Sequence, residues 1–478
     1  MLIRNIYTRL GSNIIRAGLS VISSIFIVRI LGVEVIGKIA YYYGIIGMFT
    51  LFSDLGSGTA YMKFLASDDS HGQDIAGYFY IKTGLIAVFC LLAWGLYQWR
   101  YSSSSLDTNL FIIAFVATIT DLISQLFTNT LLGHRKFVFL SKVEILGSSI
   151  LFFYNIIICF LFPSLYLLAL NMVIMPLCVI MGGIYYFYTN QLSFFEIPRK
   201  ATLVKYFRYA YPLAFSSMVG LFSTHFEKVI IGRLIGMKEL GFYRLALGIF
   251  SGFDKVIKPV TNTLFTELSF RVGKSADFIQ TKFRDLVQTL NMFGGLLAIL
   301  VIFGSRAAVE VFYGPDNIRA AVILQFFALS IISRLFWRPY RHILFAIEKH
   351  HPLAYLSLFE FLLRLGLYYL LIPLTLGGLL IGAIAMPLSE FILWVIPSGI
   401  YNITALLKRF ETIHVRSIFF RIGMPLGLIL LAGSFLNYSV FLLPVFLTLF
   451  LFMEYYLDVL TPERWNSLIL PVRDFFGG

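Results

Sequence analysis

Apolar runs of about 20 residues recur along this chain from end to end, the length a helix needs to cross a hydrocarbon core of about 30 Å. In lipid, every backbone N–H and C=O must find its partner inside the protein, so such runs fold as packed spanning helices. Run length and the polar and glycine breaks predict about 14 spans. They fall near residues 12–32, 38–64, 78–97, 109–131, 142–162, 165–188, 206–236, 239–265, 286–304, 319–346, 353–374, 378–401, 416–435 and 438–460. The expected fold class is an all-α polytopic membrane protein. Composition agrees, with 59% of the 478 residues hydrophobic and 13% charged. The connections are short, so no extramembrane domain is expected to house soluble chemistry. The first apolar stretch, Ile14 to Leu31, contains Arg16 and runs straight into another helix, so it reads as a span and not a cleavable signal. Cys90, Cys159 and Cys178 lie inside apolar runs without disulfide or metal spacing, and read as small core residues.

Basic residues set the expected orientation. With the N-terminus inside, alternate loops hold Arg4 and Arg9, then Arg135, Lys136 and Lys142, then Arg199, Lys200, Lys205 and Arg208. Arg271, Lys274, Lys282 and Arg284 follow, and finally Lys408, Arg409 and Arg416. The opposite loops carry little beyond Arg100, Lys238, Arg306 and Arg319. The asymmetry satisfies the positive-inside rule with both termini cytoplasmic. Most of the net charge of +13 is this bias. Scattered over short loops without interleaved aromatics, it does not describe a nucleic-acid surface.

An internal repeat organises the spans. Ile27-Val28-Arg29-Ile30-Leu31-Gly32-Val33-Glu34-Val35-Ile36-Gly37 returns as Ile231-Gly232-Arg233-Leu234-Ile235-Gly236-Met237-Lys238-Glu239-Leu240-Gly241. Gly44, Ile45 and Phe49 continue the register onto Gly248, Ile249 and Phe253. In each copy an apolar helix ends in Arg, a Gly breaks it, and a second apolar helix begins. An even number of spans separates the copies, so they share one orientation, as in parallel-repeat transporters. The expected division is a first lobe over 1–189, a cytoplasmic linker over 190–205 and a second lobe over 206–401. Residues 402–478 hold two accessory helices and a cytoplasmic tail.

A charge at mid-bilayer costs about 2.5–3.5 kcal/mol, so each needs a partner, water or a purpose. Arg29, Lys63, Lys82, Glu144 and Arg233 lie near predicted helix ends, where a side chain can snorkel or pair with a neighbour. Glu360 and Arg364, spaced i,i+4, suggest a structural ion pair. Deeper charges are harder to dismiss: Arg16, Asp54, Asp121, Lys228, Arg244, Asp254, Lys255, Lys258, and the stripe Arg334, Arg338 and Arg341. Asp254 and Lys258 are one turn apart and can neutralise each other; Arg341 can equally meet headgroups. Arg16, Lys228, Arg244, Lys255, Lys258, Arg334 and Arg338 are candidate cavity cations. Their excess over carboxylates invites an anionic cargo, with phosphate well matched to guanidinium. Asp54 occupies the repeat position of Lys258, which makes these two a candidate gate between lobes. Asp54, Asp121 and Glu227 are candidate ion-coupling groups.

Two motifs together resemble the polysaccharide transporter branch of the multidrug/oligosaccharidyl-lipid/polysaccharide (MOP) exporter superfamily. One runs from Arg29-Ile30-Leu31-Gly32 to Gly37, then Phe52-Ser53-Asp54-Leu55-Gly56 and Ala60. Its counterpart runs from Ile230 to Gly241, followed by Tyr243. Within the branch, Wzx-type O-antigen flippases are the nearest likeness. The resemblance implies two six-helix lobes alternating between inward- and outward-open states in the bacterial cytoplasmic membrane. It implies a cargo of undecaprenyl-pyrophosphate-linked oligosaccharide, no cofactor, and transport driven by a coupled proton, another ion or a substrate gradient. Other polysaccharide-assembly proteins are implied as partners. Family members commonly carry about twelve spans, whereas the lipid II flippase relatives have two more. The Tyr41-Tyr42-Tyr43 run is a candidate sugar-stacking lining, with interfacial anchoring as its alternative.

Two other functions compete. A multidrug exporter of the same superfamily would use carboxylates for cationic drugs, which the cationic excess opposes. An integral-membrane polymerase, ligase or glycosyltransferase would need a large external loop or an acidic metal-binding loop. The local carboxylate cluster, Asp68, Asp69 and Asp74 beside His71, reads as a solvated turn.

Overall fold

The computed structural model describes residues 2–67, 71–101, 107–192, 196–253, 276–328 and 351–371, with a few isolated positions besides. Among them there is no strand. The helices are α1 (Leu2–Leu31), α2 (Val33–Gly47), α3 (Ser57–Ser67), α4 (His71–Tyr101), α5 (Thr108–Gly133), α6 (Phe137–Leu161), α7 (Leu165–Thr189) and α8 (Lys200–Ile230). They continue with α9 (237–253), α10 (Ala276–Tyr313), α11 (318–328) and α12 (His351–Leu371). Seven of the described helices are long and apolar enough to cross a membrane. Predicted spans 12 to 14, the linker residues 193–195 and the distal parts of spans 8 and 10 lie outside the described residues.

Local chemistry explains the breaks. Gly32 (φ +83°) and Gly236 (φ +136°) turn the chain in the two repeat copies with backbone angles that favour glycine. The first copy closes with Gly32 N–H on the Val28 carbonyl (3.1 Å). The second ends in a wider turn over Ile231–Ile235, with Gly236 N–H on the Ile231 carbonyl (3.1 Å). α5 starts on Asp107, whose carboxylate accepts from the N–H groups of Asn109 and Leu110.

The second predicted span is not continuous. After α2 comes a tight turn over Met48–Phe52, and at Ser53 to Gly56 the helix breaks before α3. Leu55 (φ +44°) and Gly56 (φ +77°) make the reversal. Asp54 caps the new helix, its Oδ1 accepting from Gly58 N–H at 3.2 Å and the Ser57 hydroxyl at 3.4 Å. The Ser-Asp-Leu-Gly-Ser run is thus a stop and restart signal embedded in an apolar stretch.

The chain divides into two compact units, one of residues 1–256, 350–366 and 376–382, the other of the remainder. In the first, α3 to α8 share an aromatic core built on Tyr61, Tyr78, Phe79, Phe127, Phe187 and Tyr206. Tyr61 and Tyr78 stack at 4.1 Å, and their hydroxyls meet Thr130 (2.9 Å) and the Asn129 amide (2.7 Å), so the buried phenols are satisfied. The outward faces of α6 and α7 show Phe153, Phe160, Leu161, Met181 and Tyr185, an apolar surface suited to lipid. In the second unit α10 buries Ile299, Ile302 and Phe303, and α11 buries Leu324 and Phe327. Gln325 of α11 donates to the Ile302 carbonyl (3.0 Å).

Candidate functional site

Lys228 lies at the end of α8 with only 9% of its surface exposed. Arg244 of α9 and His225, one turn earlier on α8, are its electrostatic neighbours, so three basic side chains gather where α2 passes close. That approach depends on Gly44 and Gly47 of α2, whose missing side chains leave room for Lys228 and the His225 ring. Among the described carboxylates, Glu227 acts on Lys228 but is shared with Arg364. Glu227 Oε2 lies 3.9 Å from Arg364 Nη1, which donates to the Ser223 hydroxyl at 3.1 Å. Arg364 Nη2 donates to Glu360 Oε1 at 2.5 Å, the expected i,i+4 pair. Glu227 also bonds the phenol of Tyr243. Among the described residues, Lys228, Arg244 and Arg364 counted against Glu227 and Glu360 leave one positive charge in excess. Arg244 Nε is buried with no hydrogen-bond partner among the described residues. A buried N–H donor of this kind loses free energy until an acceptor arrives.

A second network joins α3, α4 and α5. Lys82 is fully buried; its Nζ donates to Gln125 Oε1 at 3.0 Å and lies 3.4 Å from Asp54 Oδ1. Gln125 Nε2 in turn donates to Asp121 Oδ2 at 3.0 Å. Asp121 is exposed on α5, and Tyr43 of α2 is its electrostatic neighbour. A third network ties α1 to α6, where Glu144 Oε2 accepts from Arg9 Nη1 at 2.5 Å and Arg16 Nη1 at 2.7 Å. Two guanidiniums on one carboxylate again leave a net positive site.

Of the sequence-predicted cations, Lys228 and Arg244 come together, and Arg16 sits apart from them on Glu144. Arg334 is half-buried in the second unit. Lys255, Lys258 and Arg338, with Asp254 and Arg341, lie outside the described residues, and so does the partner proposed for Asp54. Lys82 and Glu144 were expected at helix ends, where snorkelling was an option. Instead α4 starts at His71 and α6 at Phe137, which carries both side chains into the helix interior and leaves pairing as their role. Arg29 and Arg233 are exposed at their helix ends. Tyr41 and Tyr42 are buried in protein, with Tyr42 Oη accepting from Asp107 N–H at 2.8 Å, while Tyr43 is half-buried. Asp68 and Asp69 lie outside the described residues, and Asp74 is buried beneath Tyr206, whose hydroxyl donates to its carbonyl at 3.3 Å. Sequence reading used Arg9 only for orientation and passed over Gln125 and His225; polar residues within a turn or two of a flagged charge were the available signal.

This arrangement of helices is a known transporter fold. The chain is similar to an inward-facing multidrug resistance MATE family transporter of the MOP superfamily, with a TM-score of 0.68 and 13% identity over 84% of this chain and 99% of that one. It is equally similar to the lipid II flippase MurJ in an inward closed conformation, with a TM-score of 0.68 and 12% identity over 96% and 98% of the two chains. A MOP superfamily transporter from Pyrococcus furiosus, described as having a binding pocket of reversed polarity, matches with a TM-score of 0.57 and 13% identity over 84% and 96%. The fold is therefore that of the MOP-superfamily membrane transporters. No curated protein sequence matches the chain. Residues 2–265 match the family described as polysaccharide biosynthesis protein. The chain belongs to this family.

Proposed function

We propose that the protein is a flippase that moves an undecaprenyl-pyrophosphate-linked oligosaccharide, such as an O-antigen repeat unit, from the cytoplasmic to the outer leaflet of the bacterial cytoplasmic membrane. The supporting observation is the Lys228–Arg244 pair, whose neighbouring carboxylate Glu227 is shared with Arg364. A pyrophosphate offers the acceptors that Arg244 Nε lacks and balances the excess charge. Arg9 and Arg16, tethered to Glu144 and lying closer to the N-terminus of α1, would meet the same headgroup on its way in. The polyprenyl tail stays in lipid and the sugar passes between two lobes, residues 1–189 and 206–401, which alternate in access. No bond is made or broken; the driving force is a coupled ion or a cargo gradient, with Asp54, Asp121 and Glu227 as the carboxylates available for coupling. The test is deletion of the gene followed by analysis of lipid-linked sugars. Complete repeat units held on the cytoplasmic leaflet support a flippase, whereas units that reach the outer leaflet but stay unpolymerised contradict it.

A further inference from the structure

The two repeat copies meet each other through their conserved register. A side chain on Gly37 of α2 would run into the carbonyl of Met237, and one on Gly241 of α9 into the carbonyl of Val33. Val33 and Met237 are equivalent positions of the repeat, and so are Gly37 and Gly241. The contact is therefore reciprocal: each copy presses the same glycine onto the same carbonyl of the other, as related surfaces do about a two-fold axis. Only hydrogen on Cα permits such backbone contact. One turn and more further along, the symmetry is lost. Gly44 of α2 packs against Lys228 and Val229, while its equivalent Gly248 meets nothing within 4 Å among the described residues. A two-fold contact confined to one end of a helix pair can part without disturbing the rest of either helix.

We propose that the Gly37–Gly241 seam is the extracytoplasmic latch of the transport cycle, closed while cargo loads from the cytoplasm and parted for release. It places the latch directly beyond Lys228 and Arg244, so that the bound headgroup would lie just beneath the seam. The inference rests on the transport reading above and on the orientation given by the basic loops, but its test reads conformation without cargo movement. Failure of one is thus distinguishable from failure of the other.

Ile30 and Leu234, equivalent positions at the outer ends of α1 and α8, are exposed and suit a pair of spin labels. Double electron–electron resonance on the full chain in liposomes, with Cys90, Cys159 and Cys178 replaced by Ala, reads their separation. Gly37→Ala and Gly241→Ala should each deplete the short-distance population in favour of a longer one. Gly248→Ala should leave the distribution as it is. Unchanged distributions in the first two, or an equal shift in the third, overturn the latch. Should the alanine variants fail to reach the membrane, the chain with all three glycines is measured with and without undecaprenyl pyrophosphate. A longer separation appearing in either condition supports a seam that parts, and one fixed short separation in both overturns it.

Discussion

Lys82 cannot stay charged inside α4 without Asp54 and Gln125, because a fully buried ammonium has no water to replace them. Removing one partner of a buried pair costs about 3–5 kcal/mol. The Asp54 side chain keeps 28% exposure, which moves Asp54→Asn toward the lower end of that range. The double variant Asp54→Asn with Lys82→Met removes the stranded charge, and should regain most of the lost melting temperature in detergent; a double variant no more stable than the single one would contradict the pairing. Glu144 makes a parallel case. Glu144→Gln leaves Arg9 and Arg16 repelling each other, and should destabilise the α1–α6 contact more than Arg9→Gln does in the same melt. Neither arrangement was legible residue by residue. Lys82 and Glu144 were seen as charges in apolar runs, but their depth followed from helix starts several residues earlier than the apolar runs indicate. Amphipathic first turns such as His71 to Ile75 do not look like membrane, although the helix includes them.

At the scale of elements, the interruption of the second span matters most. Leu55 holds a left-handed backbone that costs a side-chain-bearing residue about 1–2 kcal/mol, and Gly56 beside it avoids that cost. Leu55→Gly should therefore be neutral or mildly stabilising, while Gly56→Ala should destabilise by about 1–2 kcal/mol. Melting of the two variants in parallel checks this; equal effects would mean that the break at 53–56 is absent in the membrane. The hairpin turns were readable in advance because glycine at the same repeat position, Gly32 and Gly236, is a backbone signal independent of hydropathy. The Asp54 break was hidden because its Leu and flanking aromatics keep the window apolar. Most other boundaries followed run length closely, as with α5 and α7, since a bilayer of fixed thickness selects them.

For the whole molecule, the fold class and the presence of duplicated helices were legible, because lipid permits so few structures and a repeat preserves its register. The grouping of cations was only half legible. Lys228 and Arg244 sit on different helices and meet through the narrow approach of α2 at Gly44 and Gly47, a packing fact that no linear pattern carries. Each hydrogen bond from a charged group to the cargo is worth about 1.5–3 kcal/mol, or about 10–150-fold in affinity. The most direct measurement of the central claim is flipping of a fluorescent undecaprenyl-pyrophosphate oligosaccharide in proteoliposomes, comparing the parent chain with Lys228→Gln and Arg244→Gln at matched protein levels. Flipping by the parent chain is expected, with a loss of about tenfold or more in each variant at limiting cargo. Variants that flip as fast as the parent, or a parent that moves a cationic dye in place of the lipid-linked sugar, would contradict the claim.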